Sequence, residues 1–201
     1  MTGSIAPVLL AGWADATLTA VDDVRLSKFL SLVLRHDPAV IGVSLDSAGW
    51  IDVDELAAAF RQRGHDITTE AIERVVIGND KRRFTLDEVT RRIRANQGHS
   101  IPVDLGLSPR RPPAILFHGT ARRKVDQILS QGLHGAARHA VHLSPDVVTA
   151  AQVGARRGAH AVLRVDAAAM YAAGHEFQLS DNGVWLVSAV PAAYLSTHTP
   201  D

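Results

Sequence analysis

The chain has 201 residues, 46% of them hydrophobic and 21% charged, which suits one large soluble domain or two small ones. It has no cysteine, which excludes disulfides, thiolate catalysis and thiolate metal sites and is compatible with a reducing cytoplasm. Lys plus Arg and Asp plus Glu each number 21, so overall charge does not point to a polyanion partner.

Residues 1–22 read as a poorly ordered leader. The stretch from Ile5 to Trp13 is short and lacks a basic flank, so neither a signal peptide nor a membrane span is expected. From Arg25 to Arg35, Leu26, Phe29, Leu30, Val33 and Leu34 fall at helical spacing. Pro38 stops that helix, because the residue before proline avoids the helical region. Asp52 or Asp54 can start a second helix ending near Gly64. Thr68 or Thr69 can cap a third, with Ile72, Val75 and Val76 on its inner face. Arg83 to Leu86 and Thr90 to Ala95 read as two short strands around a turn at Asp87-Glu88. Three helices and a two-stranded wing make a winged-helix module over residues 23–99.

Residues 100–113 contain five of the punctuating residues, Pro102, Gly106, Pro109, Pro112 and Pro113, and read as a linker. Residues 114–201 change character. Ala114–Phe117, Ala140–Leu143, Ala161–Val165 and Gly183–Val187 are strand-like, and helices are expected at Val125–Gln131 and Val147–Arg156. The fold class is therefore α+β.

Several strings are dense in phosphate-binding groups. Between Lys81 and Arg94 stand six basic residues against two acidic ones. That excess suits phosphates, or simply a solvated basic face. Arg35-His36 closes the first helix, where basic residues also complement the helix dipole. Strand alternation would put Arg83 opposite Arg82 and Phe84. The polar run from Arg94 through His99 to Ser100 reads as a loop, or as a phosphate cradle bounded by Arg and His. His118-Gly119-Thr120 follows an apolar strand, and glycine there lets a ligand approach the backbone. His142-Leu143-Ser144 repeats the pattern at another strand end, with Arg138 just before it. No metal-binding spacing, Rossmann string or Walker string occurs, so no metal site is expected.

In order along the chain stand Leu26-Ser27-Lys28-Phe29-Leu30-Ser31, Leu34-Arg35-His36-Asp37-Pro38, Leu45-Asp46-x-x-Gly49-Trp50, Lys81-x-Arg83-Phe84, Ile93-Arg94-Ala95-Asn96-Gln97-Gly98-His99-Ser100, His118-Gly119-Thr120, Arg138-His139-x-Val141-His142-Leu143-Ser144 and Asn182-Gly183-Val184-Trp185-Leu186. This ordered set resembles the RNA 2′-phosphotransferases from Leu26 to about Leu195. The resemblance implies a winged-helix lobe for RNA and a C-terminal lobe of the ADP-ribosyltransferase fold for NAD, used as co-substrate without a metal. It carries the family's catalytic positions onto Arg35, His36, Arg83 and Arg138. It gives NAD contacts to His118, Gly119, Thr120, His142 and Ser144, and RNA-phosphate contacts to Lys81, Arg94 and His99.

The reaction so implied has two steps. The RNA 2′-phosphate displaces nicotinamide from NAD. The ADP-ribosylated RNA then yields 2′-OH RNA and ADP-ribose 1″,2″-cyclic phosphate. A tRNA from splicing is one candidate substrate, and a cytoplasmic monomer is the expectation. Many protein-modifying ADP-ribosyltransferases use a late glutamate. The region here reads Asn182-Gly183-Val184-Trp185, and nearby Glu176 is expected to be structural or at the surface. Two rival readings are an ADP-ribosyltransferase that caps terminal phosphates of RNA or DNA, and a non-catalytic winged-helix binding module.

Overall fold

The computed structural model describes residues 23–135, 140–156 and 158–199, and the chain divides into two units at Leu105/Gly106. The expected leader lies outside the described residues.

The first unit opens with helix α1 (Asp23–Arg35). Leu26, Phe29, Leu30, Val33 and Leu34 form its buried face, and each is at most 5% exposed. Full burial of each side chain contributes about 1.5–3 kcal/mol before entropic costs. After Pro38 and a 3-10 turn, strand β1 (Ile51–Asp52) leads into helix α2 (Val53–Gln62). Asp52 is its cap, accepting from the Asp54 and Glu55 N–H groups at 2.8 and 3.0 Å. Thr68 caps helix α3 (Thr69–Ile77) by accepting from the Ala71 N–H at 3.2 Å. Strands β2 (Phe84–Asp87) and β3 (Arg92–Ala95) follow. The antiparallel sheet has three strands in the order β1-β3-β2, one more than the sequence predicts. A two-residue strand carries no readable alternation, which is why β1 escapes a periodicity reading. One apolar core joins the three helices to the sheet through Phe60, Ile72, Phe84 and Ile93.

The second unit contains strand β4 (Ile115–Ala121), helix α4 (Val125–Gln131), β5 (Leu133–His134), β6 (Val141–Leu143) and helix α5 (Val147–Ala155). Then come β7 (His160–Asp166), helix α6 (Ala167–Ala172), β8 (Gln178–Leu179), β9 (Trp185–Val187), β10 (Ala189–Val190) and β11 (Leu195–Thr197). Two three-stranded antiparallel sheets, β11-β7-β4 and β6-β9-β8, surround a core of Leu116, Leu143, Leu163, Val165, Phe177 and Trp185. They meet where Phe117 and Ser144 exchange both backbone hydrogen bonds, at 2.8 and 2.9 Å. A mixed α+β architecture is therefore present.

Residues 100–113 are not an independent spacer. Ser100 donates its N–H to the Arg35 carbonyl and Asp104 to that of Ser47, within the first unit. Arg110 donates to the Phe177 carbonyl and Pro109 bridges Gln178, within the second. Among the described residues no helix is long and apolar enough to cross a membrane.

Candidate active site

Arg35 is the last residue of α1, yet it is only 8% exposed. A helix-dipole role alone does not require such burial. Its Nη2 donates to the Arg83 carbonyl at 3.2 Å, and its guanidinium carbon lies 5.8 Å from the centre of the Phe84 ring. At the helix end the His36 N–H still makes the ordinary bond to the Leu32 carbonyl four residues back, and the Asp37 N–H shares that acceptor five residues back, each at 2.9 Å, a widened closing turn before Pro38. His36 is exposed, and its Nδ1 lies 2.9 Å from Ser100 Oγ. The Ser100 N–H donates to the Arg35 carbonyl at 2.9 Å. Three strings far apart in sequence (Arg35-His36, Lys81–Phe84 and Asn96–Ser100) thus converge at the end of one helix.

The segment before β2 is shaped by two asparagines. The Asn79 carbonyl accepts from the Arg82 N–H at 2.7 Å. Its side-chain Oδ1 accepts from the Lys81 N–H at 3.1 Å and from Arg83 Nη1 at 3.2 Å, while Nδ2 donates to Ser27 Oγ at 3.1 Å. Asn96 donates its N–H to the Arg83 carbonyl at 2.9 Å and its Nδ2 to the Arg82 carbonyl at 2.7 Å. Its Oδ1 accepts from Thr85 Oγ1 at 2.6 Å. Between them Arg82 takes a left-handed backbone, φ 40°, a conformation uncommon outside glycine. The alternation expected for Arg82 to Phe84 does not apply, because the strand begins only at Phe84. Turn hydrogen bonds, not the pleat, orient Arg83.

Of the other predicted phosphate contacts, Lys81 is exposed. Arg94 lies within β3, half-buried, with its guanidinium 4.7 Å from the Trp50 ring centre and its Nη1 donating to the Leu105 carbonyl at 3.3 Å. His99 is 5% exposed. Its Nε2 stands 3.5 Å from where a side chain on Gly49 would begin. The expected polar loop is therefore largely interior: Asn96, Gly98 and His99 are all buried.

In the second unit the sequence places His118-Gly119-Thr120 after a strand, but the structure runs β4 through all three, paired with Leu163, Val162 and Ala161 of β7. Polar and small residues hid the continuation. A Cβ on Gly119 would lie 1.7 Å from the Ala150 carbonyl oxygen of α5. Glycine is thus demanded by the helix that packs flat on the strand. Successive strand residues alternate, so His118 and Thr120 share the core-facing side with Leu116. Phe117 and Gly119 direct their backbone groups to a common edge. That edge is taken by Ser144 at Phe117. By the same alternation the Gly119 N–H and C=O, an adjacent donor and acceptor, face that edge.

His118 Nδ1 lies 3.1 Å from the His142 carbonyl. A carbonyl only accepts, so Nδ1 carries the proton and Nε2 is left as acceptor in the neutral ring. Burial pushes the His118 pKa down, outweighing that hydrogen bond, so the ring is neutral near pH 7. Thr120 is buried; His142, at the middle of β6, and Ser144 are half-buried. The Ser144 hydroxyl donates to the Asp146 carbonyl and accepts from its N–H, a turn that starts α5. Arg138 lies outside the described residues. Sequence reading overlooked Ser180, 3% exposed. Its Oγ accepts from the Val184 N–H at 3.1 Å and lies 2.8 Å from Asn182 Oδ1, fixing the Asn182-Gly183 turn before β9. Glu176 is exposed. Among the described residues no group of three His, Asp or Glu side chains gathers to hold a metal ion.

The model of the RNA 2′-phosphotransferase, Tpt1 / KptA family matches residues 21–189. A probable RNA 2′-phosphotransferase of Streptomyces griseus is 51% identical over 179 residues, covering 86% of this chain and 95% of the relative. One from Agrobacterium fabrum is 54% identical over 170 residues, covering 85% and 91%. One from Nostoc punctiforme is 50% identical over 172 residues, covering 86% and 95%. With the family model spanning most of the sequence and relatives matched over nearly their full lengths, this chain belongs to the RNA 2′-phosphotransferase family.

Proposed function

We propose that this protein removes a 2′-phosphate from RNA by transferring it to NAD, in two steps, without a metal ion. The observation that carries the reading is the single carbonyl of Arg83 that takes Nη2 of Arg35 at 3.2 Å. It ties two arginines of a family motif set into one cluster with His36. We read the first unit, three helices on a three-stranded sheet, as a winged-helix lobe that grips RNA. We read the second, two small sheets joined at Phe117 and Ser144, as an ADP-ribosyltransferase-like lobe that holds NAD.

A phosphate monoester is largely dianionic near neutral pH, its second pKa being about 6, so it needs positioning rather than a base. Arg35 and Arg83 supply planar, permanently charged forks suited to phosphate oxygens. In the first step the phosphate oxygen bonds to the ribose carbon that carries nicotinamide, and nicotinamide departs with the bonding pair. In the second, the ADP-ribose 2″-hydroxyl attacks that phosphorus and the RNA 2′-oxygen leaves with a proton. Arginine charge then meets the charge building on the phosphorus oxygens. His36, oriented through Nδ1 by Ser100, is assigned to proton donation to the leaving oxygen or to a phosphate oxygen. Arg138 is assigned to both steps. The adjacent N–H and C=O of Gly119 complement a carboxamide, which supports a grip on nicotinamide. His118, Thr120, His142 and Ser144 are assigned to the rest of NAD, and exposed Lys81, with Arg94 and His99, to RNA phosphates.

The test is incubation with NAD, a chelator and a short RNA bearing one internal 2′-phosphate. Loss of the phosphate together with ADP-ribose 1″,2″-cyclic phosphate is expected. A stable ADP-ribosylated RNA would favour a one-step capping enzyme, and no NAD consumption would favour a binding module.

A further inference from the structure

We propose that Asn79 and Asn96 are positioning residues that set the direction of Arg83, and through its carbonyl the seat of Arg35. This rests on the assignment of both arginines to the phosphate. The left-handed Arg82 backbone, φ 40°, persists only where its surroundings hold it. Two asparagines supply that hold from opposite ends. Asn79 fixes the near side of the turn and reaches the Arg83 guanidinium itself at 3.2 Å. Buried Asn96 fixes the far side, donating to the Arg82 and Arg83 carbonyls at 2.7 and 2.9 Å. An asparagine side chain donates and accepts at once, and both residues use both capacities here. Neither leucine nor aspartate reproduces the pattern. The Arg83 carbonyl accepts from Asn96 and from Arg35 Nη2 together, so a shift at the turn moves both cations.

A turn that is merely structural and one that aims Arg83 separate in a double-mutant cycle. Asn79→Ala is expected to lower kcat about 10- to 100-fold, as for a misplaced catalytic group, with ADP-ribosylated RNA accumulating and KM for NAD unchanged. In an Arg83→Ala background the same substitution should cost several-fold less than in the parent, because the guanidinium it contacts is gone while the main-chain carbonyl that seats Arg35 remains. Asn96→Asp keeps the acceptor for Thr85 and removes the donor to Arg82, so it reads the far side without emptying a buried site. It should show the same loss and the same non-additivity, with melting temperatures checking that each variant is folded. Equal losses in both backgrounds, or no loss in the parent, overturn the proposal. Full activity of Arg83→Ala alone would instead overturn the active-site assignment on which it stands.

Discussion

Replacing Gly119 by alanine puts a methyl group 1.7 Å from the Ala150 carbonyl oxygen, 2.7 Å from its carbonyl carbon and 2.8 Å from the Gly154 nitrogen. All three are main-chain atoms of α5, so no rotamer change relieves the clash. To restore ordinary contact the helix must lift by roughly 1.5 Å, since carbon contacts are best at about 3.5–4.0 Å. Overpacking a core usually costs about 1–3 kcal/mol, and a rigid backbone neighbour puts this case at about 3 kcal/mol or above. For a chain of this length that lowers Tm by about 6–12 °C. Differential scanning calorimetry of Gly119→Ala beside Gly154→Ala makes the comparison. A side chain at Gly154 meets its nearest atoms at 3.1 Å, and the helical preference for alanine, about 1 kcal/mol over glycine, offsets that crowding. The expected order is a large loss at Gly119 and a small change at Gly154. A Gly119→Ala protein melting within 2 °C of the parent, or below which Gly154→Ala falls, would refute the close approach of α5 to β4.

Arg35→Ala, His36→Ala and Arg83→Ala should each slow the second step more than the first, about 100-fold or more if each loses a transition-state charge contact; product analysis should show ADP-ribosylated RNA building up, and unchanged turnover in all three would remove the cluster from the site. Arg94→Ala should destabilise the first unit by about 1–2 kcal/mol, because it removes a cation stacked on Trp50 and its packed stem; urea titration measures it. Asp52→Ala should cost about 1 kcal/mol through loss of the α2 cap, seen as a lower urea midpoint with an unchanged slope. His65 and His118 are both held neutral by burial, with pKa values below the ordinary 6.5. The unfolded chain takes up their protons first, so stability is fully present above pH 6.5 and falls as pH drops below it; Tm against pH should show the decline, and His65→Leu should flatten it.

The elements legible in the sequence are those whose physics is local. Leu26 to Leu34 announce α1 by their spacing, and Val125–Gln131 was readable to the residue. What was not legible depends on partners far along the chain. The Arg35-His36 string reads either as a dipole-complementing helix end or as a phosphate group, and the burial of Arg35 involves Phe84 and the Arg83 carbonyl, both far along the chain. Asn79 and Asn96 lie 17 positions apart, and nothing in either neighbourhood says that both hold one turn. Strands β5, β8 and β10 are two residues each, too short for any alternation. At His118-Gly119-Thr120 the signal was present but ambiguous. The same glycine admits a helix packed on one face and directs its main-chain groups to the edge where Phe117 meets Ser144.

The placement of charge follows the chemistry assigned to each unit. The phosphate is the group that arrives negative and gathers more negative charge as it is transferred, and on the proposed reading the first unit meets it with Arg35, Arg83 and Lys81. The ribose carbon that loses nicotinamide gains positive character as the bond breaks. A cation directly against it, other than one paired with the transferring phosphate, would oppose that change. Burial keeps His118 uncharged, and its neighbours Gly119 and Thr120 carry no charge at all. A late carboxylate to deprotonate the nucleophile would be redundant, since the phosphate is already ionised; the turn where such a residue could stand, at Asn182-Gly183, is instead fixed by the neutral hydroxyl of Ser180.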